Sequence, residues 1–311
     1  MPYDNIISRG DIGGRVPDDV AQGVLQAAAE ASSALAAFRT IRLATTTQRI
    51  NVLSALPVAY FVAGDTGLKQ TTEMAWGQAW MQVEEIACIV PVPDNVLDDI
   101  NFDLFGEVRP RLVEAIGRSL DGAVFLGLDK PPTWPQAIIP AAVAAGNVIA
   151  RGGNTPQEGG VLTDISDALA LLEADGFEAT RAVANTTLRG VLRNVRDTTG
   201  QLVQDASQTL LWGTPISYGM KGMWEAGLDK PEMLLGDFST GFIGVRQDIT
   251  FDLADQAALT DNTGAIIYNL WQQDMQALRV KYRVGWTVQV PYQWGQAANA
   301  YPFAVMKSPA T

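Results

Sequence analysis

Between Asp103 and Gly127 apolar side chains return at every fourth position, at Val108, Leu112, Ile116, Leu120 and Val124. A period this close to 3.6 residues places them on one stripe of a single long helix. Glu107 with Arg111, and Glu114 with Arg118, form i,i+4 pairs away from that stripe. Pro110 lies near the start, where it removes a backbone hydrogen bond and predicts a kink.

Upstream the period changes to two. Ile50, Val52, Val58, Tyr60 and Phe61 predict a strand over about 48–62, and Gly64-Asp65-Thr66-Gly67 predicts a turn. Leu68 to Trp80 then returns as a second arm carrying Lys69, Trp76 and Trp80, and Val83 to Val92 is a further strand-like run. The pattern is a long hairpin with exposed aromatic residues. A two-stranded hairpin is marginal by itself, so this one must lie on something else.

The remaining segments alternate helix and strand signals. Residues 1–16 are polar and glycine-dotted and read as an extended arm, and Pro17-Asp18-Asp19 opens a helix running to about Phe38. Asp94 to Ile100 reads as a short capped helix, and Lys130-Pro131-Pro132-Thr133-Trp134-Pro135 marks a domain boundary or a rigid corner. Beyond it, Thr163 or Asp164 caps a helix with Ile165, Leu169 and Leu172 on one face and Gly176 at its end. Arg181 to Asn185 reads as a strand, Thr187 to Val195 as a short helix, and Leu234 to Asp252 as strand-turn-strand. Ala265 to Val290 ends in the alternating run Val280-Lys281-Tyr282-Arg283-Val284. The sum is an α+β fold with long arms and no internal repeat.

Composition removes much chemistry. The 311 residues hold no histidine and one cysteine, Cys88. Ser-His-Asp and Cys-His catalysis, His-containing metal sites and intramolecular disulfides are therefore excluded. Cys88, inside the apolar run Ile86-Ala87-Cys88-Ile89-Val90, reads as a buried core thiol. Lys+Arg 22 against Asp+Glu 34 gives a net charge of −12, which argues against gripping nucleic acid electrostatically. Met1-Pro2-Tyr3-Asp4-Asn5-Ile6 lacks the basic and apolar regions of a secretion signal, and no apolar run of 18 residues occurs. A soluble protein made in a cytoplasm, with no membrane partner, is expected.

Phosphate-loop, dinucleotide and nucleophile-elbow motifs are absent. The doublets Asp18-Asp19, Glu84-Glu85 and Asp98-Asp99 are carboxylate pairs that a hard cation would accept, but the first and third read as acids at helix starts and Glu84-Glu85 as a solvated strand edge. No metal and no cofactor is expected. Gly152-Gly153 and Gly159-Gly160 flank a flexible loop without the lysine of a phosphate cradle, and Asn185-Thr186-Thr187 is a glycosylation sequon only for a secreted chain. The eight tryptophans read as core and interface packing rather than a carbohydrate platform.

The order of these elements resembles that of the major capsid proteins of tailed bacteriophages, the Hong Kong 97-like Johnson fold. The stretches Val52-Leu53-Ser54-Ala55-Leu56-Pro57-Val58-Ala59-Tyr60-Phe61, Gly64-Asp65-Thr66-Gly67-Leu68-Lys69-Gln70-Thr71, Gly106-Glu107-Val108-Arg109-Pro110-Arg111-Leu112 and Gly244-Val245-Arg246-Gln247-Asp248 are similar to those of actinobacteriophage capsid proteins. The resemblance covers nearly the whole chain. It implies an N-terminal arm over 1–48 with a helix at about 17–38, and an E-loop over 49–84 that lies on a neighbouring subunit. A peripheral P domain over 85–132 would hold the spine helix at about 103–127, an axial A domain would span 133–232, and residues 233–311 would return to the P domain as C-terminal strands.

The same resemblance implies a non-enzymatic protein that assembles with itself into pentamers and hexamers of an icosahedral shell around double-stranded phage DNA. Portal and scaffolding proteins, and a decoration protein, would be its other partners. The virion capsid, built in the host cytoplasm, would be its location. Tyr60, Phe61, Lys69, Trp76 and Trp80 become candidate inter-subunit contacts and Pro110 a candidate hinge during shell expansion. Some relatives weld subunits by a lysine-to-asparagine isopeptide bond assisted by a carboxylate. Lys69 matches the donor and Asp274 the acid, whereas the acceptor position falls near Ile267, with Asn269 two residues away on the same strand face. The alternative role for Lys69 is an ion pair. Two other readings of the chain are an encapsulin-like compartment for a protein cargo and an unrelated soluble enzyme using carboxylates alone.

Overall fold

The computed structural model describes residues 32–55, 71–72, 74–98, 104–155, 159–195, 209–219, 224, 230–261, 263–291 and 299–309. In chain order the first elements are α1 (Ser33–Ala37), β1 (Arg39–Arg42), β2 (Thr47–Ala55), β3 (Ala75–Pro93), α2 (Asp94–Asp98) and α3 (Leu104–Asp121). Then follow α4 (Ile138–Ala145), β4 (Val148–Ala150), α5 (Val161–Ala174), β5 (Arg181–Asn185), α6 (Thr186–Arg193), β6 (Leu210–Leu211), β7 (Thr214–Gly219) and β8 (Pro231–Gly236). The chain closes with β9 (Gly241–Ala254), β10 (Ala258–Thr260), β11 (Ile266–Asn269), β12 (Met275–Val288) and β13 (Phe303–Lys307). The α+β reading stands.

Two compact units are interleaved along the chain. The larger takes 33–83, 121–244 and 285–311; the smaller takes Ser32, 84–120 and 245–284.

The larger unit is organised by a six-stranded mixed sheet in the order β4-β13-β8-β5-β7-β6. Register explains its two-sided core. Ala304, Leu235 and Ala182 align and point one way, and their neighbours Val305, Leu234 and Val183 align and point the other. The first face is covered by Ile165, Ala168 and Leu172 of α5 with Leu188 and Leu192 of α6. A ring cluster of Phe38, Phe125, Phe238 and Phe303 forms elsewhere in this unit, with Phe38–Phe238 centroids 5.0 Å apart and Phe238–Phe303 edge-on at 5.3 Å.

Two expectations about caps change here. Helix α5 starts at Val161 behind Gly160 with no side-chain cap, so neither Thr163 nor Asp164 caps it. Asp164, fully buried, instead turns its carboxylate to the preceding loop and accepts from the N–H of Gly152 at 2.7 Å and of Asn154 at 3.0 Å. Those loop donors would otherwise be left without partners. Similarly, Asp98 of the third acidic doublet is the last residue of α2 and does not open it; Asp94 occupies that first turn, and Asp99 lies outside the described residues.

Helix α3 carries the four-residue period. Leu112, Ile116 and Leu120 are buried on it and Val124 just beyond it. Arg111 and Arg118 both donate to Glu114, each at 3.2 Å. Pro110 lies inside the helix, which runs through it without interruption. After Asp121 the helix widens to a π-helical turn, Gly122–Leu126, ended by Gly127 at φ +78°. Asp121 is buried at this switch, and its carboxylate accepts the backbone N–H of Ser33 at 2.8 Å and of Ala34 at 2.9 Å. It caps the first turn of α1 from 87 residues away.

A five-stranded sheet runs β1-β9-β12-β3-β2, and β3, β9 and β12 have residues in both units. The expected hairpin is the antiparallel β2–β3 pair, from Thr47↔Gln82 to Ala55↔Ala75. From Ala75 onward the returning arm and the strand-like run after it are one unbroken strand of 19 residues; Leu68 and Lys69 lie outside the described residues. Of the expected N-terminal helix, the part inside the described residues is α1; the acidic doublet Asp18-Asp19 lies outside them.

Candidate assembly surface

Strand alternation divides the hairpin into two unlike faces. One carries Trp76, Gln78 and Trp80 of β3, with Asn51 and Arg49 of β2 opposite the last two. Trp76 is 63% and Trp80 51% exposed. The Arg49 guanidinium lies 4.3 Å from the centre of the Trp80 ring. The other face buries Met81 and Val83 against Leu43, with Ile50 and Phe242 packed around them. Gly244 and Gly285 make room for it. A Cβ on Gly244 would collide with Met81 and Leu43, and one on Gly285 would stand 2.8 Å from the Gln82 carbonyl oxygen. One face is therefore a finished core and the other an aromatic surface with nothing on it among the described residues.

In the smaller unit, one side of β12 presents Arg279, Lys281 and Arg283. The Asp252 carboxylate accepts from Arg279 at 2.9 Å and from Lys281 at 3.0 Å, and Glu85 accepts from Arg283 at 2.7 Å. The hydrogen bond from Lys281, then that from Arg279, holds the Asp252 carboxyl below its usual value. Arg109 of α3 stands 5.7 Å over the Phe251 ring of β9.

The residues singled out from sequence fall in several places. Tyr60, Phe61 and Lys69 lie outside the described residues. Asp274, at φ +47°, sits in the turn before β12, and its carbonyl accepts the Asp94 N–H at 2.8 Å. Asn269 ends β11, with its side-chain amide donating to Gln272 at 2.9 Å. Ile267 is partly exposed on the same strand.

Cys88 is not a core thiol. It is half-buried on β3, in a stretch where Ala87 and Ile89 are exposed, because the apolar run is a strand showing one side to solvent rather than a fully covered one. Burial raises its thiol pKa, and the backbone hydrogen bond at Ile89 opposes that rise.

Some surface residues escaped the sequence reading. Trp212, 59% exposed, and Gly213 both have positive φ in the tight turn between β6 and β7. Trp271 is 69% and Ile266 64% exposed around β11. Only the Trp212-Gly213 step, an X-Gly turn after the apolar pair Leu210-Leu211, left a readable signal. Trp134, Trp224 and Trp286 are buried, so the tryptophans divide between core and surface.

A cavity of about 320 Å³ is lined by Asn185, Thr187, Trp224, Lys230, Pro231, Glu232 and Ser308. Among the described lining residues the one carboxylate, Glu232, is held by Arg151 in a two-pronged pair at 2.5 and 3.0 Å. Among the described residues no group of three or more acids and cysteines is placed to hold a metal.

Comparison with known proteins agrees with an assembly role. The model of the phage capsid family matches residues 13–292. The major capsid protein of Staphylococcus phage 80alpha is 26% identical over 284 residues, 90% of this chain and 84% of that protein. A solved chain of Microbacterium phage Oxtober96 superposes with a TM-score of 0.79 at 37% identity, over 89% of this chain and 91% of that one. One from Mycobacterium phage Cain gives 0.78 at 32% identity, over 99% and 100%. The chain belongs to the phage capsid family, the shell-forming major capsid proteins of bacteriophages.

Proposed function

We propose that this chain assembles, as pentamers and hexamers, into an icosahedral shell around double-stranded phage DNA. The observation that carries the reading is the hairpin face of Trp76 and Trp80, more than half exposed on a strand pair whose other face is packed. Aromatic surface of this kind is stabilised when a partner covers it. In the proposed shell the hairpin is the E-loop, it lies on a neighbouring copy, and Tyr60 and Phe61 extend its contact. Helix α3 is the spine helix of the P domain and Pro110 its bending point during expansion. The A domain, about 133–232, lies toward the capsomer axes.

Assembly takes place in the host cytoplasm with portal and scaffolding proteins, and a decoration protein is a further candidate on the outer face. The net charge of −12 leaves the DNA enclosed without sequence-specific grip. Lys69 makes an ion pair with the neighbour. Electron microscopy of the purified protein tests the reading: closed icosahedral particles are expected, and a protein that stays monomeric under all assembly conditions overturns it.

A further inference from the structure

We propose that the outer edge of β3 beyond Val83 is a self-pairing strand, by which two copies of this chain join antiparallel about a two-fold axis at Cys88. The inference rests on the shell reading, which supplies the second copy.

Strand β3 lies between β12 and β2, but β2 stops early. Its register ends at Thr47↔Gln82, and the Val83 N–H donates to the Thr46 carbonyl at 2.9 Å. From residue 84 to Pro93 no strand of the described residues lies along that edge. Because Val83 points its amide to the β2 side, alternation points the amides and carbonyls of Glu85, Ala87 and Ile89 the same way. Pro91 and Pro93 share this parity. Proline is tolerated in a strand where its nitrogen faces away from the ladder, so their positions give the same direction independently.

Between Ile86 and Val90 nothing among the described residues guards this edge. Ile86-Ala87-Cys88-Ile89-Val90 has no charge, no proline and high strand preference, and Ile89 is 45% exposed. Edges of this kind join other strands unless they are protected.

The register follows from what flanks the edge. Pairing centred on Cys88 sets Ala87 opposite Ile89 of the second copy, where the two exchange both backbone bonds, and Ile86 opposite Val90. Glu85 faces Pro91 and donates its N–H to the Pro91 carbonyl; proline has no N–H to return, so this pair forms one ladder bond instead of two. The acids meet apolar residues rather than each other, whereas parallel pairing would stack Glu85 on Glu85. An axis at Ala87 would push the second copy against the Val83 amide already used by β2. An axis at Ile89 would set Ala87 opposite Pro91 and Glu85 opposite Pro93, and so lose twice as many ladder bonds. Centring on Cys88 makes the two thiols a non-hydrogen-bonded pair with Cα atoms about 4.5 Å apart, inside the range a disulfide accepts.

The test is oxidation of assembled particles with copper-phenanthroline, followed by non-reducing denaturing electrophoresis. A band at twice the 33.4 kDa of one chain is expected. It should be absent from Cys88→Ser particles and from dilute dissociated subunits. Particles that form but stay monomeric on the gel overturn the pairing while leaving the shell intact; failure to form particles at all overturns the shell reading instead. A dimer band equally strong in dissociated subunits reports random collision and overturns the pairing too. As a second variant, Ile89→Lys changes an exposed side chain and should lose the dimer band and at least about tenfold in particle yield, an edge charge being a known guard against strand pairing; wild-type yield with an undiminished band is the contrary result.

Discussion

Arg49 stands directly across the β2–β3 ladder from Trp80, its guanidinium 4.3 Å from the indole centre. At an exposed site such a contact contributes about 0.5–1 kcal/mol. Its larger consequence is to hold the ring in place on the outward face beside Trp76. Trp80→Ala and Trp76→Ala should leave the thermal midpoint of the dissociated subunit nearly unchanged, within about 0.5 kcal/mol of stability, while lowering particle yield by tenfold or more. Arg49→Ala should act the same way with a smaller effect. Sedimentation separates particles from subunits, and normal assembly of the double tryptophan variant would remove the hairpin from the interface.

Gly244→Ala should be costly for the opposite reason. The added methyl would run into Met81 and Leu43, in a cluster closed on every side the structure describes. Overpacking of this kind costs about 1–3 kcal/mol. Chemical denaturation of the subunit should show a lower midpoint at unchanged slope, and an unaltered midpoint would mean that the Met81 side chain moves aside freely.

Asp121→Ala leaves the Ser33 and Ala34 amides without their shared acceptor, one of them buried. Loss of a cap or of a buried acceptor costs about 1–3 kcal/mol. Hydrogen exchange at Ser33 and Ala34 should accelerate in the variant, and Asp121→Asn, which keeps one carbonyl oxygen, should recover part of the protection. Exchange identical to wild type in both variants would show that the carboxylate is not the clamp.

The contrast between these sites shows what periodicity carries and what it omits. The stripe Leu112, Ile116 and Leu120, the strand Arg181–Asn185 and the successive strands β8 and β9 were legible because one-dimensional alternation and packing agree there. Asp164 read as a cap because an acid near a helix start is usually one. Its burial under a loop 10–12 residues back is a tertiary fact. Cys88 read as core because a five-residue apolar run resembles a covered strand, and nothing local says that one edge and one side stay open. Arg49 was invisible as the partner of Trp80 because the register that joins them depends on a pairing across the hairpin.

The alkaline limb of stability should be set by buried tyrosines. Burial raises the pKa of Tyr282, helped by the Asp248 charge, and burial alone raises that of Tyr301. A group raised in the folded state contributes stability that is fully present below its unfolded value, about 10, and that is lost as pH rises from there toward the folded value. Unfolding at high pH should therefore coincide with tyrosine ionisation followed by ultraviolet absorbance, and Tyr282→Phe should move that limb upward. Tyrosines that ionise near pH 10 in a still-folded subunit would contradict this.

An isopeptide bond needs the Lys69 amine to attack an asparagine side-chain carbonyl, with ammonia leaving and a carboxylate moving the protons. By resemblance the acceptor position falls near Ile267, and the nearest amide, Asn269, donates its side-chain N–H to Gln272 at 2.9 Å within its own turn. Swinging it toward a neighbour's lysine would cost that bond, and Asp274 is already fixed by its turn at φ +47°. Mature particles boiled in denaturant should therefore run as one band near 33 kDa, and Lys69→Met should change particle yield through a lost ion pair without changing the gel. A ladder of multiples of the chain mass that disappears in Lys69→Met would instead establish the cross-link and make Asn269 its acceptor candidate.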